Sequence, residues 1–430
     1  MAITGRVPLL LLLGLVAVVL RPSGSTVLLW LLVVLALVGV DLLLAVSPRS
    51  LTVERVSPGR VRVGHEATSL VALGNPGSRR ASLLVRDAWQ PSAGVRDNRH
   101  RLVLRSGDHV AVSSVLQPVR RGELTAYGVT VRSYGPLGLA ARQRTLWVPA
   151  TMRSLPPFES RKHLPSRLAR LRDLDGRSAV RVRGQGTEFD SLREYVRGDD
   201  VRSIDWRASA RNRNVVVRTW QPERDRRVVL VVDTSRVSAG RVDDVPRLDS
   251  AMEAALLLTA LAARAGDRVD VLAGDRRVRT RLRLAGARDA TSRLEDAFSG
   301  LQPEIAEADW TALAGAVQAF GRQRALVCLL TPLEPSAVEE GLLPVLPVLV
   351  AHHRVVLASV RDPELERLAE SRGGLDAVYA AAAAEQTLTR RRATAELLET
   401  LGVHVIDVSA DDLPPALADH YLSLKAQGLL

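Results

Sequence analysis

The 430-residue sequence holds one cysteine, two lysines and few aromatic residues, and each shortage removes a class of explanation. A lone cysteine excludes an internal disulfide and a thiolate metal cluster. Cys328 lies inside the apolar run ALVCLL and reads as a small core residue, not a reactive thiol. The absence of disulfides is compatible with the cytoplasm. With aromatics at 3%, the cores must be built from Leu, Val and Ala. Lys162 and Lys425 are the only lysines, so arginine carries the net charge of +12. That surplus suits anionic lipid or nucleic acid without choosing between them. Also missing are the HExxH, GxSxG and Walker motifs. The GQG at 184–186 is followed by no Gly-Lys-Ser/Thr and is no phosphate loop. Asp199 and Asp200 sit among arginines, which favours ion pairing over acid–base work. The chain is therefore expected to bind and not to catalyse.

What is present begins with two apolar runs, 7–20 and 27–46, separated by RPSGST, whose Pro22 and Gly24 break helices. A membrane-crossing helix needs about 20 apolar residues. The second run reaches that length, with Asp41 near its far end where water is close; the first would need Ile3 and a snorkelling Arg6. The first also resembles a signal peptide, but no small-x-small site follows Leu20 and a second apolar run comes directly after. A two-pass helical hairpin is the expectation. Arg49, Arg55, Arg60 and Arg62 follow it and Arg6 precedes it, against Arg21 alone in the loop. By the positive-inside rule both ends face the cytoplasm, which places the chain in the cell membrane with membrane lipid as a partner.

From residue 49 to 150 the pattern turns to short alternating segments such as RVRVG, SLVALGN and ASLLVRDAW, punctuated by Gly-Asn-Pro-Gly at 74–77 and similar turns. Seven or so strands at this spacing suggest a β-sandwich-like domain, with Trp89 and Trp147 as packing residues. The Arg- and Pro-rich stretch 152–183 has weak periodicity and no interleaved aromatics. It reads as a solvated connector or a contact with lipid headgroups, and no nucleic acid is expected as partner.

From Arg226 onward all-apolar runs (VVLVVD, ALVCLL, RVVLASV) alternate with amphipathic segments such as LDSAMEAALLLTALAARA. That alternation implies an α/β doubly wound parallel sheet covered on both faces. Ligands of such sheets sit at the carboxyl ends of the strands, where Asp233 opens the loop DTSRVS. A von Willebrand factor A domain binds a divalent cation there through Asp-x-Ser-x-Ser, with a Thr and an Asp from two other loops. Asp233 and Ser235 match, and Thr311 can serve as the distant Thr. Val237 and Pro332 replace two oxygen ligands, with Ser238 out of phase and Glu334 two residues beyond the proline. The motif is degenerate: no cofactor is expected, a weak Mg²⁺ site being the alternative, with Asp233, Ser235 and Thr311 as vestigial ligands.

The segment GQGTEFDSLREYVRGDDVRSIDWRASARNRNVVVRTWQPERD, 184–225, is the most informative stretch. It carries Glu188, Phe189, Arg193, Glu194, Tyr195, Gly198, Asp199, Asp200, Arg202, Asp205, Trp206, Ala210, Arg211 and Glu223. In these positions, and in the upstream PVRRGELTAYGVTVRSYGPLGLAAR, the chain resembles the family catalogued as domain of unknown function 58. The resemblance implies a membrane-bound partner of a MoxR-type AAA+ ATPase in assembly or maturation, and it supplies no catalytic residues. Read on their own, Arg193 with Asp199 or Asp200, and Asp205 with Arg211, are expected to form a buried ionic network around Tyr195 and Trp206. Two roles stay open: a latch on the sheet, or a partner-binding surface.

The expected organisation is thus a transmembrane hairpin (1–48), a β-sandwich-like domain (49–150), a basic connector with the signature (151–225) and an A-like domain (226–430). Three functions follow from it: an adaptor for an AAA+ ATPase, a metal-dependent receptor, and a membrane-tethered nucleic-acid binder.

Overall fold

The two apolar runs form helices α1 (Arg6–Leu20) and α2 (Gly24–Leu44). Ser23 starts the second by accepting the Thr26 N–H at 3.3 Å, an N-cap. The computed structural model describes residues 1–181, 188–211, 214–221, 226–243, 245–284, 289–321 and 323–430, in two units, Met1–Pro156 and Pro157–Leu430. The 184–186 GQG lies outside the described residues.

In the first unit α1 packs on α2 through a small-residue contact. The Trp30 ring covers Gly14, where a Cβ would meet Trp30 Cδ1 at 2.3 Å, and Trp30 Nε1 donates to Leu10 O at 3.1 Å. The outward leucines and valines stay exposed, and α2 is long and apolar enough to cross a membrane. Helix α1 has 15 residues, about 22 Å of rise, short of the ~30 Å hydrocarbon core. Ile3 does not lengthen it: Ala2–Ile3 form a short strand, β1, and the Arg6 guanidinium donates to Leu137 O at 2.9 Å.

Asp41 is not beside water, as expected from its place near the helix end. It is fully buried, and its carboxylate accepts the N–H groups of Leu137 (2.7 Å), Leu139 (2.7 Å) and Ala140 (2.9 Å). The approach is so close that a Cβ on Gly135 would lie 2.2 Å from Asp41 Oδ1. The Gly-Pro-Leu-Gly-Leu turn is therefore a carboxylate cradle at the foot of α2.

The sandwich follows: β2 (Thr52–Val56), β3 (Arg60–Arg62), β4 (Ala67–Gly74), β5 (Ala81–Trp89), β6 (Val95–Arg96), β7 (Arg99–Leu104), β8 (His109–Leu116), β9 (Gly122–Tyr134), β10 (Ala140–Leu146) and β11 (Ala150–Leu155). One sheet runs β1-β10-β9-β11-β3, with β5 and β7 continuing from β9; the other runs β2-β4-β8-β6. Alternating inward residues such as Leu73, Leu83, Val85 and Val131 fill the space between them. Arg55 and Asp87 form a buried ion pair across the two sheets, and Asp87 also accepts from Ser69 Oγ (2.9 Å) and Trp89 Nε1 (3.0 Å). Trp89 is thus a packing residue with its N–H satisfied, whereas Trp147 is exposed.

The expected connector, 152–183, is corrected over its described residues. Its first residues belong to β11, which pairs with β9 and β3, so the sandwich ends at Pro156. Beyond them lies helix α3 (Leu164–Arg181). Leu164, Leu168, Leu171 and Leu174 recur at helical spacing and pack into the core of the second unit. Arg167 and Arg170 both pair with Asp419.

The signature segment forms a two-stranded ribbon, β12 (Glu188–Glu194) with β13 (Val216–Gln221), enclosing the one-turn helix α4 (Trp206–Ser209). Next come β14 (Arg227–Asp233), a small hairpin of β15 (Arg241–Val242) and β16 (Val245–Pro246), then β17 (Arg268–Gly274), β18 (Val278–Leu284), β19 (Leu326–Leu330), β20 (Arg354–Val360) and β21 (Val403–Val408). The main sheet runs β18-β17-β14-β19-β20-β21, parallel except for the antiparallel edge strand β18. Arginines crowd that edge, with Arg281 and Arg283 over the Phe320 ring at 4.6 and 5.7 Å.

Helices α5 (Arg247–Arg264), α6 (Ala290–Ser299), α7 (Trp310–Gln318), α8 (Pro335–Ala337), α9 (Leu346–Val350), α10 (Pro363–Ala369), α11 (Leu375–Thr400) and α12 (Leu413–Ala426) complete the unit. Strand residues alternate between two cores: Val228, Leu230 and Val232 face α5, α6 and α12, while Val229 and Val231 face α7, α9 and α11. The Ala- and Leu-rich α5 is buried almost all round. Cys328 is fully buried, and burial pushes its thiol up, away from reactivity.

Helix α12 is pinned by the lysine at its end. Lys425 Nζ lies 3.0 and 3.1 Å from the two Asp267 oxygens, and Tyr421 OH donates to the same carboxylate. Nearby, His420 of α12 stacks on His404 of β21 at 4.1 Å between centroids. Burial, with help from His404, pushes the His420 imidazole down to about 4. In the unfolded chain it titrates near ~6.5. The folded state therefore resists protonation, so stability is full above the unfolded value and is lost as pH falls toward the folded one. Thermal melts are expected to drop between about pH 6.5 and pH 4, and His420→Gln should flatten that slope.

Candidate functional site

The order of the main sheet reverses between β14 and β19, and the crevice outside their carboxyl ends is the place such sheets bind ligands. A cavity of about 260 Å³ lies there, lined by Asp233, Ser235, Val237, Trp310, Thr331 and Pro332. Asp233 ends β14, and both its oxygens are engaged: Oδ1 accepts Ser235 N–H at 2.8 Å and Oδ2 accepts the Thr331 hydroxyl at 2.7 Å. Burial raises the Asp233 carboxyl; the Thr331 and Ser235 hydrogen bonds oppose the shift and Asp275 adds to it. The Ser235 hydroxyl, also buried, makes no hydrogen bond of good geometry among the described residues.

The expected third member is elsewhere. Thr311 is exposed at the start of α7 and does not line the cavity; Trp310 does. The threonine that reaches Asp233 is Thr331, directly after β19 and before Pro332. Next to this pair, Thr234 Oγ1 donates to Asp275 Oδ2 at 2.8 Å, and Arg279 bridges Asp275 and Glu304. The guanidinium thus ties the loops after β17 and α6, and Asp275 carries the link on to Thr234 after β14. Asp275 and Arg279 went unread in the sequence, although Asp275 directly follows β17 much as Asp233 closes β14.

The cation motif itself is incomplete in this crevice, with Val237 and Pro332 at two of its ligand positions. Val237 and Pro332 present hydrocarbon in the lining beside Asp233, Ser235 and Thr331; Glu307, Ser336 and Glu340 also line it, and Ser238 and Glu334 do not. Among the described residues no group of three or more His, Cys, Asp or Glu side chains is placed to hold a metal. A hard cation draws on about six oxygens. Millimolar Mg²⁺ is expected to leave the melting temperature unchanged, since a bound ion would raise it with concentration. A saturable rise abolished by Asp233→Ala would contradict this.

In the signature ribbon Arg193 pairs with Asp199 (2.6 and 2.8 Å), as expected. Asp199 also accepts Val196 N–H, Asp200 caps Arg202 N–H at 2.9 Å, and Glu194 accepts from Asn214 at 2.6 Å. The Asp205 partner differs from expectation. It is Arg218, at 2.8 Å, not Arg211, because Asp205 N–H bonds Val216 O and so lies against β13. Asp205 also caps the Arg207 and Ala208 N–H groups of α4. Nor is this a buried network: the Arg193 and Arg218 side chains are 47% and 46% exposed. Hydrogen bonding by Arg193 holds Asp199 below the usual carboxylate range, and the Ala208 N–H and Arg218 do so for Asp205.

Arg202 and Arg211 are exposed and Tyr195 is half-buried; the Glu188 side chain lies outside the described residues. Trp206 is 67% exposed, and Val196, Val201 and Val215 of the same segment are exposed too. Among the described residues, the segment's hydrogen bonds and ion pairs stay within it.

Fold and site together define a class: a doubly wound α/β unit with a crevice at its switch point, in one chain with a β-sandwich and an apolar helix. Residues 191–395 match the family model described as "Protein of unknown function DUF58", which shows the resemblance read from the signature. No curated protein matches the chain. Among solved structures, it is similar to the SpRpn10 VWA domain (9% identity, 45% of this chain and 94% of that one, TM-score 0.25). It is also similar to the CARDB domain of PF1109 from Pyrococcus furiosus (17% identity, 24% and 92%, TM-score 0.18). A third likeness is to a FixG-related protein from Vibrio parahaemolyticus (8% identity, 24% and 96%, TM-score 0.18).

Proposed function

We propose that the chain is a membrane-anchored, non-catalytic adaptor whose signature ribbon docks a MoxR-type AAA+ ATPase at the cytoplasmic face. In this reading α1 and α2 cross the bilayer as a hairpin, α1 with local thinning, and the α/β unit is of von Willebrand factor A type. The exposed leucines of both helices and the flanking arginines support the anchor. The observation that carries the adaptor role is Trp206: a large apolar ring held at the surface of a ribbon pre-ordered by its own charge pairs. Exposed aromatics of this kind form the energetic centres of interfaces. Two of the carboxylates around it are already neutralised by arginine, so docking need not desolvate them unpaired.

The test is a pull-down from detergent extract read by mass spectrometry. Wild type should retain the ATPase and Trp206→Ala should lose it, with the melting temperature unmoved. Equal recovery of the ATPase by both would dismiss the ribbon as its dock. Orientation is tested separately by a reporter fused after Leu430, which should be active only as a cytoplasmic enzyme.

A further inference from the structure

Where α2 ends, the chain turns through Ser47 and a single 3₁₀ turn, Pro48–Ser50, and enters the sandwich. Beside that exit lies a cavity of about 490 Å³, open to one side, with two unlike walls. One wall is apolar, made by Leu42 and Leu43 of α2; the other carries Arg49, Arg142 and Arg144. Arg142 and Arg144 are two apart on β10 and so share one face of the strand.

The basic wall is built and uncompensated. Arg142 is half-buried and oriented by its Nε–H, which donates to Leu42 O at 2.9 Å, leaving its two terminal nitrogens without a hydrogen bond among the described residues. Arg49 and Arg144 are exposed, and no carboxylate among the described residues pairs with any of the three. Three arginines lining one cavity without an acid are repulsive alone and become favourable around an anion, which planar guanidinium forks bind through paired N–H groups. A soluble phosphate would use the arginines and leave the leucine wall idle. A phospholipid uses both.

We propose that this cavity holds the headgroup phosphate of an anionic phospholipid, with the glycerol and first acyl carbons against Leu42 and Leu43. The assignment rests on the reading of α2 as a membrane helix, which sets the cavity at headgroup depth. Juxtamembrane basic pockets of this kind bind acidic lipid heads, each arginine contributing about fivefold in affinity.

The experiment uses the full chain in a neutral detergent, titrated with short-chain phosphatidylglycerol, phosphatidylcholine or glycerol phosphate, with bound species counted by native mass spectrometry. Phosphatidylglycerol should bind in preference to both others. Arg49→Gln with Arg144→Gln should weaken it by about 25-fold and leave phosphatidylcholine unchanged. That double variant keeps Arg142 and its bond to Leu42, so the foot of α2 stays intact, and its melting temperature checks the fold. Equal binding of the two lipids, or an unaltered preference in the double variant, would overturn the site. Glycerol phosphate binding as tightly as the lipid would overturn the lipid assignment. Carbonate extraction of cell membranes reads the anchor independently: release of the chain would refute the membrane reading, whatever the titration gives.

Discussion

Replacing Arg391 with leucine is expected to cost the α/β unit about 3–5 kcal/mol, because it strands a charge the fold has taken out of water. The Arg391 guanidinium grips Asp407 with Nε at 2.9 Å and Nη2 at 2.7 Å. It also donates to Leu333 O, Ser359 Oγ and Val360 O. With side chains 6% and 18% exposed, neither partner keeps a full hydration shell. Removing the arginine leaves a carboxylate and two carbonyls short of donors, whereas removing both charges together should recover most of the loss. Urea unfolding of Arg391→Leu, Asp407→Leu and the double variant measures this directly. Hydrogen exchange at β20 and β21 would locate the loosening. A loss below about 1 kcal/mol in the arginine variant would mean that the pair is structurally idle. Leu333 lies two residues after Thr331, so the same variant should also free the β19 loop and weaken the hold of Thr331 on Asp233.

The second large effect is expected at Asp41. Its carboxylate serves three backbone N–H groups of the turn after β9, and leaving a buried donor unpaired costs about 1–3 kcal/mol. Asp41→Leu should therefore uncouple α2 from the sandwich. Gly135→Ala should do the same from the other side, since its Cβ would fall on the carboxylate. Trypsin cleavage after Arg49 reads the coupling: both variants should be cut about tenfold faster than wild type, because local opening governs access. Unchanged cleavage in both would show that the cradle is not what holds the helix foot.

The apolar strands and the long helices were legible because periodicity is local. RVVLVVD becomes β14 and LDSAMEAALLLTALAAR becomes α5 with little context. What escaped was set by contacts between distant segments. The helix within 164–181 was hidden because its arginines make the stretch strongly polar on average, although Leu164, Leu168 and Leu171 mark its buried stripe. Asp41 gave no sign of a partner nearly a hundred residues away, because that partner is backbone. At the site Asp233 and Ser235 were read correctly as neighbours, but the threonine was sought at Thr311 when strand order brings Thr331 alongside. Arg211 was chosen for Asp205 by sequence proximity, and the β12–β13 pairing supplied Arg218 instead.

The arginine-lined strand β18 has a consequence at the scale of the membrane. A chain tethered to a bilayer, as proposed for this one, diffuses in a plane, where copies meet far more often than at the same abundance in solution. An unprotected sheet edge would turn those encounters into zippered polymers. Arg281 and Arg283 give that edge a positive fringe that neighbouring copies share, so their approach is repelled along the line where backbone pairing would begin.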